Sequence, residues 1–129
     1  MNIIMLEHIN LKTTRMPEMI IWYEKILGLS EGYRPPFGVV GAWLYRGDWP
    51  MIHLLAVDEQ KTPDDPQMEH MAFRAQELKS FLEILHEMKI PFKSYRVPEL
   101  RILQVYISDP DGNNMHIDFP REEADALGL

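Results

Sequence analysis

The stretch Leu6-Glu7-His8-Ile9-Asn10-Leu11-Lys12-Thr13 returns at a shift of 62 (70 − 8 = 62) as Met68-Glu69-His70-Met71-Ala72-Phe73-Arg74-Ala75. Apolar, Glu, His, apolar, small, apolar, basic, small is the shared order. Apolar and polar residues alternate in both copies, the pattern of a strand with one buried face. A repeat of this length makes the chain two copies of one supersecondary unit.

Working outward, a helical pattern follows each copy. Met19, Ile20, Tyr23, Ile26 and Leu27 fall on one stripe between Pro17 and Leu27, with Pro17 suited to a first turn and Gly28 to a helix stop. Leu78, Phe81, Leu82 and Leu85 repeat the stripe, which Ile90-Pro91 ends. Strand-like runs follow: 37–45 and 51–57 around the turn Arg46-Gly47-Asp48 in the first half, and 92–97, 102–108 and 114–119 in the second. Asp109-Pro110-Asp111-Gly112 predicts a tight hairpin, because Pro presets φ and Gly tolerates positive φ. The second half therefore reads β-α-β-β-β, and the repeat assigns the same order to the first, whose additional strand falls within 29–45; the class is α+β. The polar and Pro-rich 58–67 reads as a linker, and 120–129 as a loose acidic tail or a short helix.

At 129 residues the chain is sized for a single domain with its own core. It has no cysteine, which excludes a disulfide scaffold, a thiolate metal site and a cysteine nucleophile. A net charge of −7 argues against nucleic acid as a partner, since phosphate binding needs a basic face. No apolar run is long enough to span a membrane. Met1 to His8 lacks the basic and long apolar stretches of a secretion signal, so a cytoplasmic location is expected.

Four of the five histidines sit at repeat-equivalent places. His8 matches His70. His53 matches His116 at 116 − 53 = 63, a one-residue difference attributed to a longer second hairpin. Neutral imidazole is the commonest metal ligand, and four at symmetric strand positions point to a divalent ion, one per site, of Fe, Mn, Ni, Co or Zn. The competing reading is four satisfied core or cleft histidines. His86 lies off the apolar stripe of its helix and reads as solvated.

The whole of 4–119 resembles the vicinal oxygen chelate superfamily, which includes glyoxalase I, extradiol dioxygenases, methylmalonyl-CoA epimerase and the fosfomycin and bleomycin resistance proteins. The resemblance rests on Leu6-Glu7-His8-Ile9, Trp22-Tyr23-Glu24-Lys25-Ile26-Leu27-Gly28-Leu29, Met68-Glu69-His70-Met71-Ala72-Phe73 and Asp109-Pro110-Asp111-Gly112-Asn113. It implies one domain over 1–129, made of two paired βαβββ modules (about 4–57 and 68–119) in a U-shaped mixed sheet around a divalent metal. It also implies His8, His53, His70 and His116 as ligands, a small-molecule substrate and a homodimer. The family's usual last-strand Glu is replaced by His116, and His53 stands where many members have Glu or Gln.

Asp118 shares a strand face with His116 and is a candidate catalytic base or partner of that histidine; a solvated strand-end carboxylate is the equal alternative. Lys12, Arg34, Arg74 and Tyr106 are candidate substrate contacts, each competing with an ordinary structural placement. The loop Arg34-Pro35-Pro36-Phe37-Gly38 could wall a pocket, with Arg34 reaching a carboxylate. The expected function is a metal-dependent, glyoxalase-like lyase or isomerase or a ring-cleaving dioxygenase on a small oxygen-chelating substrate. The alternative is a non-catalytic, drug-sequestering protein of the resistance type, for a cationic aromatic ligand.

Overall fold

The computed structural model describes residues 6, 8–59, 70–97 and 100–129. The expected linker lies largely outside these. The chain divides into two compact units, Met1–Pro63 and Asp64–Leu129. The first runs β1 (Ile9–Thr13), α1 (Met16–Leu27), β2 (Ser30–Gly32), β3 (Gly41–Arg46) and β4 (Trp49–Ala56). The second runs β5 (Met71–Arg74), α2 (Leu78–Glu87), β6 (Lys93–Val97), β7 (Ile102–Ser108), β8 (Asn114–Pro120) and α3 (Arg121–Ala126). Each unit is the expected βαβββ module, and α3 extends the second.

The sheets have the same topology. Strand order is β1-β4-β3-β2 in one and β5-β8-β7-β6 in the other, with β1·β4 and β5·β8 parallel and the remaining pairs antiparallel. One face of each sheet is apolar because the strands alternate. In the first unit Leu11, Ala42, Leu44, Ile52 and Leu54 are buried, together with Met19, Trp22, Tyr23 and Ile26 of α1. In the second, Met71, Leu103, Val105, Ile107, Met115, Ile117 and Phe119 are buried with Leu78, Phe81 and Leu85 of α2. The Phe81 and Phe119 rings meet at 5.4 Å between centroids. Alternation then forces His53, His116 and their same-parity neighbours onto the opposite face.

Local signals account for the element ends. Pro17 occupies the first turn of α1, and Gly28, at φ 65°, caps it by donating its N–H to the Tyr23 carbonyl. Helix α2 has no acidic residue in its first turn. Instead Glu123 of α3 accepts the Leu78 backbone N–H at 2.6 Å. In the β7–β8 turn, Asp109 is buried and accepts the N–H groups of Asp111 and Asn113 at 3.0 and 2.9 Å.

Two expectations are corrected. The first-half strand begins at Gly41 rather than Phe37, because Pro35 and Pro36 offer no ladder donor and Gly38 turns with φ 74°. The one-residue drift between the repeats does not come from the second hairpin. Trp43 pairs with His53 and Tyr106 with His116, both ten residues apart (53 − 43 and 116 − 106). The extra residue enters earlier, between the first strand of the module and its third.

Candidate functional site

The register of each sheet brings the repeat-equivalent histidines to matching places. Asn10, two residues after His8, pairs with His53; Ala72, two residues after His70, pairs with His116. Residues two apart share a strand face, so each histidine before a first strand lands beside the histidine of the last strand. The result is two His pairs. The His8 and His53 rings are stacked, 3.9 Å between centroids at 16°. The His70 and His116 rings lie at 4.9 Å and 47°.

An aromatic flanks each pair on the next strand over. Trp43 stacks on His53 at 4.2 Å and 9°, and Tyr106 tilts against His116 at 5.3 Å and 48°. Trp43 and Tyr106 are therefore equivalents, at a shift of 63. Tyr106, a candidate substrate contact from sequence, thus has a counterpart in the first unit.

The surroundings of the two pairs differ sharply. In the second unit Asp118 Oδ1 lies 2.6 Å from His116 Nδ1, with both side chains largely buried. An ionised carboxylate only accepts, so Nδ1–H is the donor of this contact, and the tautomer it favours in a neutral ring has its lone pair on Nε2. Gln104 Nε2 comes within 3.4 Å of Nδ1, a donor beside a donor and so not a hydrogen bond in that tautomer, and its Oε1 accepts the Tyr106 hydroxyl at 2.7 Å. Gln104 pairs with Asp118 in the β7·β8 register. Sequence reasoning passed over Gln104; its parity with Tyr106 was the available signal.

In the first unit the equivalent positions are Leu55 for Asp118 and Gly41 for Gln104, which pair with each other in register. The space beside Gly41 is taken by Arg34. A Cβ at position 41 would lie 2.9 Å from Arg34 Cζ and Nη2, and 2.5 Å from the Leu54 carbonyl oxygen. Arg34 is thus seated by a missing side chain. Its Nη1 donates to the Val39 carbonyl at 2.9 Å, and its guanidinium lies 5.0 Å from the Phe37 ring centroid.

Each unit has a cleft beside its histidines, lined by both His8 and His53 in the first and by His70 in the second. The first, of about 490 Å³, is lined by His8, Asn10, Arg34, Phe37, Trp43 and His53, and otherwise by aliphatic residues. The second, of about 380 Å³, is lined by His70, Phe92, Lys93, Tyr106, Ser108 and Asn114, among others. Lys12 and Arg74 share strand parity with Asn10 and Ala72 but line neither cleft. Arg74 pairs in register with Asp118. His86 is exposed on α2, with its ring edge-on to Phe92 at 5.3 Å.

The donors suit a divalent ion in kind: imidazoles at matching register positions, one of them with its tautomer set by a carboxylate. Among the described residues, however, no three His, Cys, Asp or Glu side chains are gathered as a metal needs. The first pair also faces ring to ring. An imidazole lone pair lies in the ring plane, so stacked rings direct their lone pairs side by side. One ring has to turn for both to reach one ion.

A family model described as the Glyoxalase/Bleomycin resistance protein/Dioxygenase superfamily matches residues 5–117. A relative named Glyoxylase I 4, from Arabidopsis thaliana, is 30% identical over 115 residues. That match takes in 83% of this chain and 66% of the relative, so the chain spans just under two thirds of its length. A glyoxalase/dioxygenase from Nostoc punctiforme superposes with a TM-score of 0.78 at 24% identity, covering 92% of both chains. A lactoylglutathione lyase from Agrobacterium tumefaciens gives 0.65 at 19% identity, covering 89% of this chain and 92% of its own. At these identities the superpositions bear on fold alone.

Proposed function

We propose that this chain, which belongs to the Glyoxalase/Bleomycin resistance protein/Dioxygenase superfamily, is a metal-dependent enzyme acting on a small oxygen-chelating substrate. Within that family the reading covers a glyoxalase-like lyase or isomerase and a ring-cleaving dioxygenase. The observation that carries it is the pair of register-matched histidines found twice in one chain, His8 with His53 and His70 with His116. Core histidines have no reason to repeat in register together with a flanking aromatic.

The four histidines are the proposed ligands of one divalent ion per site, Fe, Mn, Ni, Co or Zn. When bound, such an ion polarises a coordinated substrate oxygen and acidifies coordinated water. The chain's own residues do the rest. Asp118 holds the His116 proton on Nδ1, which aims Nε2 as the donor and fixes the ring. That contact makes Asp118 a positioning residue for His116. Neutral imidazoles leave the ion's charge uncompensated, which favours an anionic or chelating oxygen substrate. Trp43 and Tyr106 hold the rings of His53 and His116 from the side.

The test is a pair of assays on metal-loaded protein, hemithioacetal isomerisation and catechol ring cleavage. Turnover in one of them, lost in His70→Ala and kept in His86→Ala, is the expected result. Metal-loaded protein inert in both assays would contradict the enzymatic reading as stated.

A further inference from the structure

Arg34 is the feature that the second module has no counterpart for. It occupies the place beside His53 that Gln104 occupies beside His116, and it can do so because position 41 is glycine. Among the described residues the cleft it lines contains no carboxylate, although the chain as a whole carries a net charge of −7. Its other walls are flat: the half-exposed Phe37 ring, and Trp43 stacked on His53 stacked on His8.

The guanidinium is not used up by the protein. Among the described residues Nη1 donates to Val39 O and Nη2 makes no hydrogen bond, which leaves Nη2 for a ligand, while the unpartnered Nε is buried and closed to one. A fixed cation with a donor to spare, beside an aromatic wall and with no acid among the described lining residues, recognises an anion on a planar group.

We propose that the first-unit cleft binds a planar, unsaturated or aromatic carboxylate, with Arg34 anchoring the carboxylate and Phe37 and Trp43 contacting the plane. This rests on the reading of the cleft as part of the substrate site and narrows the substrate to a class. A cationic aromatic ligand, which an acidic groove would hold, meets the wrong charge here.

The experiment uses the full chain, stripped of metal and dialysed free of chelator, titrated calorimetrically with naphthoate and with its neutral amide, naphthamide. Naphthoate should bind about tenfold more tightly, the scale of one charge-assisted hydrogen-bonded contact. Arg34→Gln should remove that preference and leave naphthamide binding unchanged, which a merely structural role for Arg34 would not do. Arg34→Lys should restore part of it. Arg46→Gln, a charge-matched change outside the cleft lining, should have no effect. Equal affinity for the two probes, no binding of either at millimolar concentration, or equal weakening by Arg34→Gln and Arg46→Gln would overturn the proposal. Because no metal is present, a failed metal reading and a failed Arg34 reading give different results.

Discussion

At His116 a buried carboxylate selects the tautomer, while at the equivalent His53 the matching position is Leu55. The two pairs are alike in register and unlike in chemistry. If His116 is a ligand, Asp118 matters through it. Asp118→Asn should lower metal affinity about 10- to 100-fold, the usual cost of losing a carboxylate behind a ligating histidine. A competition titration against a chromogenic chelator measures this; unchanged affinity would detach Asp118 from the site. In the same titration His70→Ala should lose most of the bound metal and His86→Ala none. Equal loss in both would remove the ligand assignment.

The histidine equivalences were legible in sequence because a strand repeat preserves parity, and parity decides the face. The role of Arg34 was legible only as reach, since its seat depends on the absence of a side chain at Gly41, a residue seven positions away. Gln104 was hidden for a related reason. Its neighbour Asp118 comes from the next strand, and only the β7·β8 register sets the two side by side.

At the scale of elements, the helices and hairpins follow from local chemistry. Amphipathic stripes, Pro17, Gly28 and the Asp109 turn all act within a few residues. The second-strand region was misread where the apolar residues Phe37, Val39 and Val40 looked like a strand. They are exposed residues of a loop, two of which line the cleft. Helix α3 was legible only as one of two options for the tail, because its docking is non-local. Glu123 caps α2, and Arg96–Asp125 and Arg101–Glu122 tie α3 to β6 and to the residue before β7 at 2.7 and 2.6 Å.

Two expectations belong at this scale. Glu123→Ala should destabilise the protein by about 1 kcal/mol, the typical cost of a lost cap, read as a lower urea midpoint with unchanged slope. A midpoint within error of the parent would show that water replaces the carboxylate.

The second expectation concerns pH. Glu122 is held below the ordinary carboxylate range by a hydrogen bond from its own backbone N–H and then by Arg101, and Asp125 by its hydrogen bond with Arg96. A carboxyl whose folded pKa is depressed adds stability that is present above its unfolded pKa. That stability is lost as pH falls through the folded value. Docking of α3 should therefore weaken on acidification below the ordinary carboxylate range, and weaken further in salt because both pairs are exposed. Amide-exchange protection factors in 121–126, corrected for the intrinsic pH dependence of exchange, that stay constant between neutral and acid pH would contradict this.

At the scale of the whole molecule, two βαβββ modules with identical strand order and matching His registers make the chain an internally duplicated member of its superfamily. The duplication has diverged in what flanks the histidines: Arg34 lines the cleft of the first pair, and Asp118 backs His116 in the second. Among the described residues no helix is long and apolar enough to cross a membrane. Within its own sheet each module ends on edge strands, β1 and β2 in one, β5 and β6 in the other. Sheet edges are ordinarily covered by a partner, and a homodimer is the expected assembly. Light scattering at micromolar concentration should give twice the chain mass; a monomer would refute it.

His8, His53, His70 and His116 are expected to hold a divalent metal. Elemental analysis of untagged protein, purified without nickel resin or chelator, tests it most directly, with His8→Ala prepared in parallel. The parent protein should carry about one Fe, Mn, Ni, Co or Zn per site, and His8→Ala should lose most of it. Protein that comes out metal-free and takes up none of these ions when they are added would contradict it.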